Sequence, residues 1–96
     1  MAYKRREVEA QLRNKFHFVD KPSRPHERIA LFIDGRQVAS TGFSRGLRKN
    51  ADVDHTIMKL IAREIRVATI GNLRGMIDCD ISYDDYLEIL REGNYL

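Results

Sequence analysis

The chain has 96 residues, of which 43% are hydrophobic, 17 are Lys or Arg and 14 are Asp or Glu, so it has room for one small domain spanning residues 1–96. No apolar run approaches the ~20 residues that cross a bilayer, and the basic start runs into Glu7-Val8-Glu9, which predicts neither a membrane segment nor a signal peptide. A single cysteine, Cys79, excludes a disulfide framework and a cysteine-based zinc site, and it predicts a cytoplasmic protein.

Charge is distributed unevenly along the chain. Residues 1–50 hold 12 Lys and Arg against 5 Asp and Glu, a net charge of +7, whereas residues 51–96 hold 5 against 9, a net charge of −4. No acidic residue occurs from Gly35 to Ala51. This asymmetry indicates that the first half faces a polyanion.

The first predicted element is a helix over residues 4–15. This segment lacks Gly and Pro and is rich in strong helix formers. Val8 and Leu12 recur four residues apart and form a narrow apolar stripe that docks on a sheet. The opposite side is predicted to keep three cations in water, namely Arg5, Arg6 and Arg13.

Strand-like segments follow. Residues 16–19 alternate aromatic and other side chains, which predicts a half-buried strand with His17 on its outer face. After a loop that contains Pro22 and Pro25, two strand-like runs, 28–33 and 36–41, flank Asp34-Gly35. Asp-Gly between two such runs is a strong hairpin signal because both central turn residues need positive φ. Every second residue of the first run is predicted to face the core, namely Ile29, Leu31 and Ile33.

Three helices are predicted in the second half. The first begins near Asp52 or Asp54, either of which can cap it. The second covers residues 69–77, and the third opens at Ser82 and ends at Gly93. Helical periodicity predicts buried faces made of Ile57, Leu60, Ile61 and Ile65 in the first helix, Ile70, Leu73 and Ile77 in the second, and Tyr86, Leu87 and Leu90 in the third.

The resulting order is α-β-β-β-α followed by two short C-terminal helices. It predicts an α+β fold in which a three-stranded antiparallel sheet carries helices on one face.

Five segments carry a resemblance to known proteins: Phe16-His17-Phe18, Pro25-His26-Glu27, Asp34-Gly35-Arg36, Ser44-Arg45-Gly46 and the helical Ile57-Met58-Lys59-Leu60-Ile61. On these segments the chain resembles the double-stranded-RNA-binding-domain fold and, within it, is similar to the HicA-like toxins, small domains that cleave RNA. The resemblance covers residues 4–70 and leaves residues 69–96 as a helical C-terminal extension. It departs from the family where Gly-Ser before the histidine is replaced by Arg24-Pro25.

The resemblance implies an RNA-directed protein, a ribonuclease of the mRNA interferase type that needs no metal or other cofactor. It also implies an antitoxin-like protein partner. By position, His26 matches the family histidine, which would remove the proton from a 2′-hydroxyl group as a general base. The alternative is that His26 is an ordinary polar residue at the end of a proline-bearing loop.

Phosphate contacts in such a fold come from the first helix, a loop and the start of the last helix. The corresponding candidates for nucleic-acid binding are Lys4, Arg5, Lys21, Arg24, Arg28, Ser44, Arg45, Arg48 and Lys49. The alternative is a charged surface that only faces water. Two further interpretations of the whole chain remain open: a nucleic-acid-binding module of the same fold without catalysis, and a protein-interaction domain that uses the acidic C-terminal helices.

Overall fold

The computed structural model describes residues 3–21, 27–43 and 51–96, and of Glu27 it describes the backbone alone. Within these ranges none of the helices is long and apolar enough to cross a membrane. The elements, in chain order, are β1 (Tyr3–Lys4), α1 (Arg5–Asn14), β2 (Val19–Lys21), β3 (Glu27–Ile33), β4 (Arg36–Phe43), β5 (Asp52–Val53), α2 (His55–Glu64), α3 (Ile70–Ile77) and α4 (Tyr83–Glu92).

The three longer strands form an antiparallel sheet in the order β2-β3-β4. The predicted hairpin is confirmed, because β3 and β4 are joined by Asp34 and Gly35 with φ values of 52° and 79°. Two successive positive φ values are those of a type I′ turn, whose twist matches that of the strands. Together with the four helices in the described ranges, the sheet confirms the predicted α+β fold.

One face of the sheet holds the core. Ile29 and Leu31 of β3 are buried there beside Thr41 and Phe43 of β4, and the apolar side chains of all four described helices join the same cluster. The antiparallel register shifts by one residue at a β-bulge, since Leu31 pairs with Ala39 but Phe32 pairs with Gln37. The extra residue, Val38, turns into the core, as bulges re-aim side chains.

The predicted strand over residues 16–19 is wrong. Residues 16–18 form an irregular turn after α1, and β2 begins only at Val19. Phe16 and Phe18 are both buried against Tyr86, with ring centroids 5.5 Å and 6.2 Å apart. His17 lies between them with φ of 64° and its ring rests against Tyr83 at 4.4 Å. The alternation therefore reflects a left-handed turn, not a pleated strand.

The helices of the second half begin where the sequence predicts. Asp54 caps α2 by accepting from the Ile57 backbone N–H, Thr69 caps α3, and Ser82 with Asp85 forms a capping box at α4. One predicted core residue, Leu60, is wrong, because its side chain is 50% exposed. The buried stripe of α2 runs through Met58, Ile61 and Ala62, which leaves Leu60 about 150° from the centre of that stripe around the helix axis.

A two-stranded pair that the sequence did not predict joins the two halves of the chain. β1 and β5 are antiparallel, with Tyr3 opposite Val53 and Lys4 opposite Asp52. The Arg5 backbone N–H continues this pairing by donating to the Ala51 carbonyl at 2.9 Å. The start of α1 is thereby held beside the start of α2.

Candidate nucleic-acid interface

Most of the predicted site lies outside the described residues. These positions are the predicted general base His26 and the predicted RNA contacts Arg24, Ser44, Arg45, Arg48 and Lys49. Four of the predicted contacts, Lys4, Arg5, Lys21 and Arg28, are described.

The structure contradicts the prediction that Arg5 faces water. Its side chain is only 4% exposed because the guanidinium lies over the Phe43 ring, 5.0 Å from the centroid. It also forms an ion pair with Glu9 one turn further along α1, at 3.4 Å. A buried guanidinium of this kind contributes to packing and is inaccessible to a phosphate.

The other three described candidates are accessible but engaged within the protein. Lys4 forms an ion pair with Asp52 at 2.7 Å. Lys21 and Arg28 are opposite each other on β2 and β3, so the structure brings these two cations together. Lys21 donates to Gln37 at 2.7 Å, and Arg28 donates to Ser40 at 3.2 Å.

A basic stripe on α2 was missed by the sequence reasoning. His55, Lys59 and Arg63 recur every four residues and are all exposed, so they lie about 6 Å apart along one side of the helix. Arg66 follows in the connection to α3 and is also exposed. Within the described ranges, Lys59 and Arg63 form no ion pair. We call Lys59, Arg63 and Arg66, with Arg28 and Arg74 at the two ends, the α2 basic surface.

Three adjoining clefts run along this surface. The first, of about 220 Å³, lies between Tyr3, His55 and Arg74. His55 also lines the second cleft, of about 290 Å³, which Lys59 and Arg63 border on the α2 side. Arg63 leads into the third, of about 340 Å³, whose lining includes Arg28, Gln37, Ser40 and Arg66. Each cleft shares a lining residue with the next, so the cations line a path of adjacent clefts along α2.

Two carboxylates border the path, and both are engaged. Asp54 caps α2 through the Ile57 N–H at 2.9 Å. Glu64 accepts from the buried hydroxyl of Thr41 at 2.9 Å and from Arg28 at 3.5 Å. Five Lys and Arg side chains therefore face the three clefts against two acids, which leaves the path positively charged and suited to a polyanion.

The C-terminal helix holds the end of this surface in place. The Tyr86 hydroxyl donates to the Ile65 carbonyl at 2.8 Å, at the C-terminal end of α2. Burial raises the pKa of Tyr86 well above its ordinary value, so the hydroxyl keeps its proton and the hydrogen bond persists at neutral pH. The Tyr95 ring contacts the Arg66 guanidinium, 4.8 Å from the centroid.

The signal for the α2 stripe was present in the sequence. Polar, mostly cationic residues at positions 55, 59 and 63 recur every four residues and lie about 100° from the centre of the apolar stripe of the same helix.

Among the described residues, no group of three or more His, Cys, Asp or Glu side chains is arranged to hold a metal ion.

Comparison with known proteins finds no relative: no protein-family profile, curated protein or solved structure matches the chain. The resemblance to HicA-like toxins stays a prediction from the residues that carry it.

Proposed function

We propose that this protein binds RNA through the α2 basic surface. The observation that carries the proposal is the row formed by Lys59, Arg63 and Arg66, which line two adjacent clefts that share Arg63. Phosphate neutralisation needs several cations on one face and no particular motif, because binding is driven by the release of counterions from the nucleic acid. RNA is favoured over other polyanions by the resemblance to double-stranded-RNA-binding domains.

The use of the other cations supports this assignment. Arg5 is buried, and Lys4, Arg13 and Arg28 form ion pairs with carboxylates. An exposed cation with no carboxylate partner in the described ranges is available to a phosphate without first losing an internal contact. Lys59 and Arg63 are in this position. Arg6 of α1 is in this position too, but Lys59 and Arg63 lie on the same side of one helix and border one cleft.

The proposal is tested by measuring RNA affinity as a function of salt concentration. Fluorescence anisotropy with a labelled RNA would compare the wild type with the double variant Lys59→Gln/Arg63→Gln. The variant should bind roughly 10–100-fold more weakly at 0.1 M salt, and the slope of log affinity against log salt should fall by about two.

The matched control removes the same charge elsewhere. Lys15 contacts the Phe16 ring, and Arg91 forms an ion pair with Glu88, and neither residue lines the three clefts. Lys15→Gln/Arg91→Gln should retain nearly wild-type affinity. If both double variants lost the same RNA affinity, the effect would be due to net charge alone. That result would contradict the proposed surface.

RNA cleavage is a separate part of the proposal, and it rests on the resemblance and on His26. Wild-type protein and His26→Ala would be incubated with labelled RNA in the presence of a chelator. Cleavage by the wild type alone supports a metal-independent ribonuclease with His26 as general base. Binding without cleavage would identify a nucleic-acid-binding module. Absence of binding at low salt would favour a protein-interaction domain.

A further inference from the structure

The face of the sheet that points away from the core carries an unusual combination of side chains. Strand alternation places Arg28, Ala30 and Phe32 of β3 opposite in direction to the buried Ile29 and Leu31. The pairing register adds Val19 and Lys21 of β2 and Gln37 of β4 to the same outer face. An aromatic ring thus shares this face with two cations and an amide.

The ring of Phe32 is accessible on this face. Phe32 is 44% exposed, and its aliphatic neighbour Val19 is 50% exposed. The bulge in β4 is the cause, because an unbroken register would place Val38 opposite Phe32. With the bulge, Val38 turns into the core and the polar Gln37 takes the opposite position. A local irregularity of the backbone therefore leaves one aromatic ring uncovered.

This face continues into the α2 basic surface. Gln37 and Arg28 line the third cleft together with Arg63 and Arg66. The Lys21 ammonium group donates to Gln37 at 2.7 Å, which holds a second cation beside the residue opposite Phe32. Gln37 therefore connects the cleft that Arg63 lines to Phe32, its partner in the β3–β4 register.

We propose that Phe32 is a stacking platform for one unpaired base of a single-stranded RNA segment whose phosphates lie along the α2 basic surface. This inference rests on the proposed function. Single-strand binding combines a basic groove for the backbone with exposed aromatic rings for the bases, and both features adjoin here. Bases inside a duplex are stacked on one another and paired, so they cannot stack on Phe32. An apolar protein partner would have to cover Lys21 and Arg28 on the same face, whereas phosphates neutralise them.

The first experiment separates stacking from apolar contact. Wild type, Phe32→Tyr and Phe32→Leu would be titrated with a labelled single-stranded RNA and with the same sequence as a blunt duplex. Phe32→Tyr should keep single-strand affinity within about twofold, and Phe32→Leu should lose roughly 10-fold, because leucine retains apolar area but has no ring face. Duplex affinity should be the same in all three proteins. Val19→Ala, on the same face, is the control and should bind like the wild type.

The second experiment detects the stacked base directly. The chain contains no tryptophan, so Phe32→Trp introduces a unique fluorophore at the platform. Single-stranded RNA should quench its emission, whereas inorganic polyphosphate, which carries charge but no bases, should bind without quenching.

The outcomes distinguish the two proposals. If Lys59→Gln/Arg63→Gln weakens RNA binding but Phe32→Leu does not, RNA binding by the α2 basic surface is supported and base stacking on Phe32 is contradicted. Unchanged tryptophan emission of the Phe32→Trp variant at saturating RNA would likewise overturn it and leave the outer face as a protein-docking surface. If neither variant affects RNA binding, the proposed function itself fails.

Discussion

Arg5 and Arg63 show two uses of the same side chain. Arg5 is 4% exposed, lies over Phe43 and forms an ion pair with Glu9. Arg63 is exposed on α2, lines two clefts and forms no ion pair within the described ranges. The first guanidinium is part of the packing, and the second is available to a ligand. A count of charges along the chain does not distinguish these two roles.

Residues 1–50 and residues 51–96 also differ in how many of their cations form ion pairs. Four of the eight described cations of residues 1–50 form ion pairs, namely Lys4, Arg5, Arg13 and Arg28, whereas among the five described cations of residues 51–96 Arg91 alone does. The acidic second half nevertheless supplies Lys59, Arg63 and Arg66, the centre of the α2 basic surface. Net charge per segment is therefore a poor guide to the proposed binding surface. Acids at helix caps and helix ends lower the net charge of the segment without covering its cations.

The largest expected effect tests whether Arg5 is structural. Arg5→Ala should lower the free energy of unfolding by about 2 kcal/mol, since a desolvated cation–π contact and an ion pair are lost together. Arg63→Ala, on the exposed side of α2, should change it by less than about 0.5 kcal/mol. Urea denaturation of both variants provides the measurement. Equal stability of the two variants would contradict the contrast.

A substitution of Glu64 should make the cations of the α2 basic surface more available to RNA. Glu64→Gln removes one negative charge from the third cleft and releases Arg28 from its ion pair. RNA affinity should rise several-fold, and the salt dependence should steepen by about one in slope. Stability should change by less than about 1 kcal/mol, because the pair is partly exposed and the Gln carbonyl can still accept from Thr41. Unchanged affinity would place the RNA elsewhere. Anisotropy and urea titrations measure the two quantities.

Two residues with positive φ allow effects on stability to be distinguished from effects on RNA binding. Arg66 and Cys79 follow α2 and α3 with φ of 72° and 69°, a conformation in which glycine avoids the Cβ penalty. Cys79→Gly should stabilise the protein by about 0.5 kcal/mol after allowing for the greater freedom of the unfolded chain. Arg66→Gly should gain less because its contact with Tyr95 is lost, yet only this variant should weaken RNA binding. Thermal melts and anisotropy distinguish the two variants.

The smallest expected effect concerns Asp85, whose carboxylate forms part of the capping box of α4. The Ser82 backbone N–H donates to Asp85 and lowers the pKa of its carboxyl below the usual 3.8. A lowered folded-state pKa stabilises the protein above about pH 4, and this contribution is lost as pH falls through the folded pKa. Asp85→Asn should therefore show a shallower loss of stability below about pH 4. Asp84→Asn, in the same first turn, is the control. Identical acid profiles in the wild type and Asp85→Asn would contradict the assignment.

Local signals in the sequence predicted much of the fold. The Asp34-Gly35 turn and the caps at Asp54 and Ser82 each depend on a few neighbouring residues, so the structure confirms them. The strand over residues 16–19 failed because two buried aromatics around a left-handed residue also produce a period of two. The pairing of β1 with β5 was missed because strands of two residues carry no periodic pattern.

The amino-acid sequence by itself determined the order of the four helices, the hairpin between β3 and β4 and the capping residues of α2, α3 and α4, since each follows from steric and hydrogen-bonding preferences over one or two turns. The tertiary structure alone decided which cations are buried and which adjoin. Arg5 meets Phe43 across 38 residues of chain, and Arg28 meets Arg63 and Arg66 only because α2 ends beside β4. Such juxtapositions depend on how helices pack on a sheet, and a single sequence read along its length does not contain that distance information.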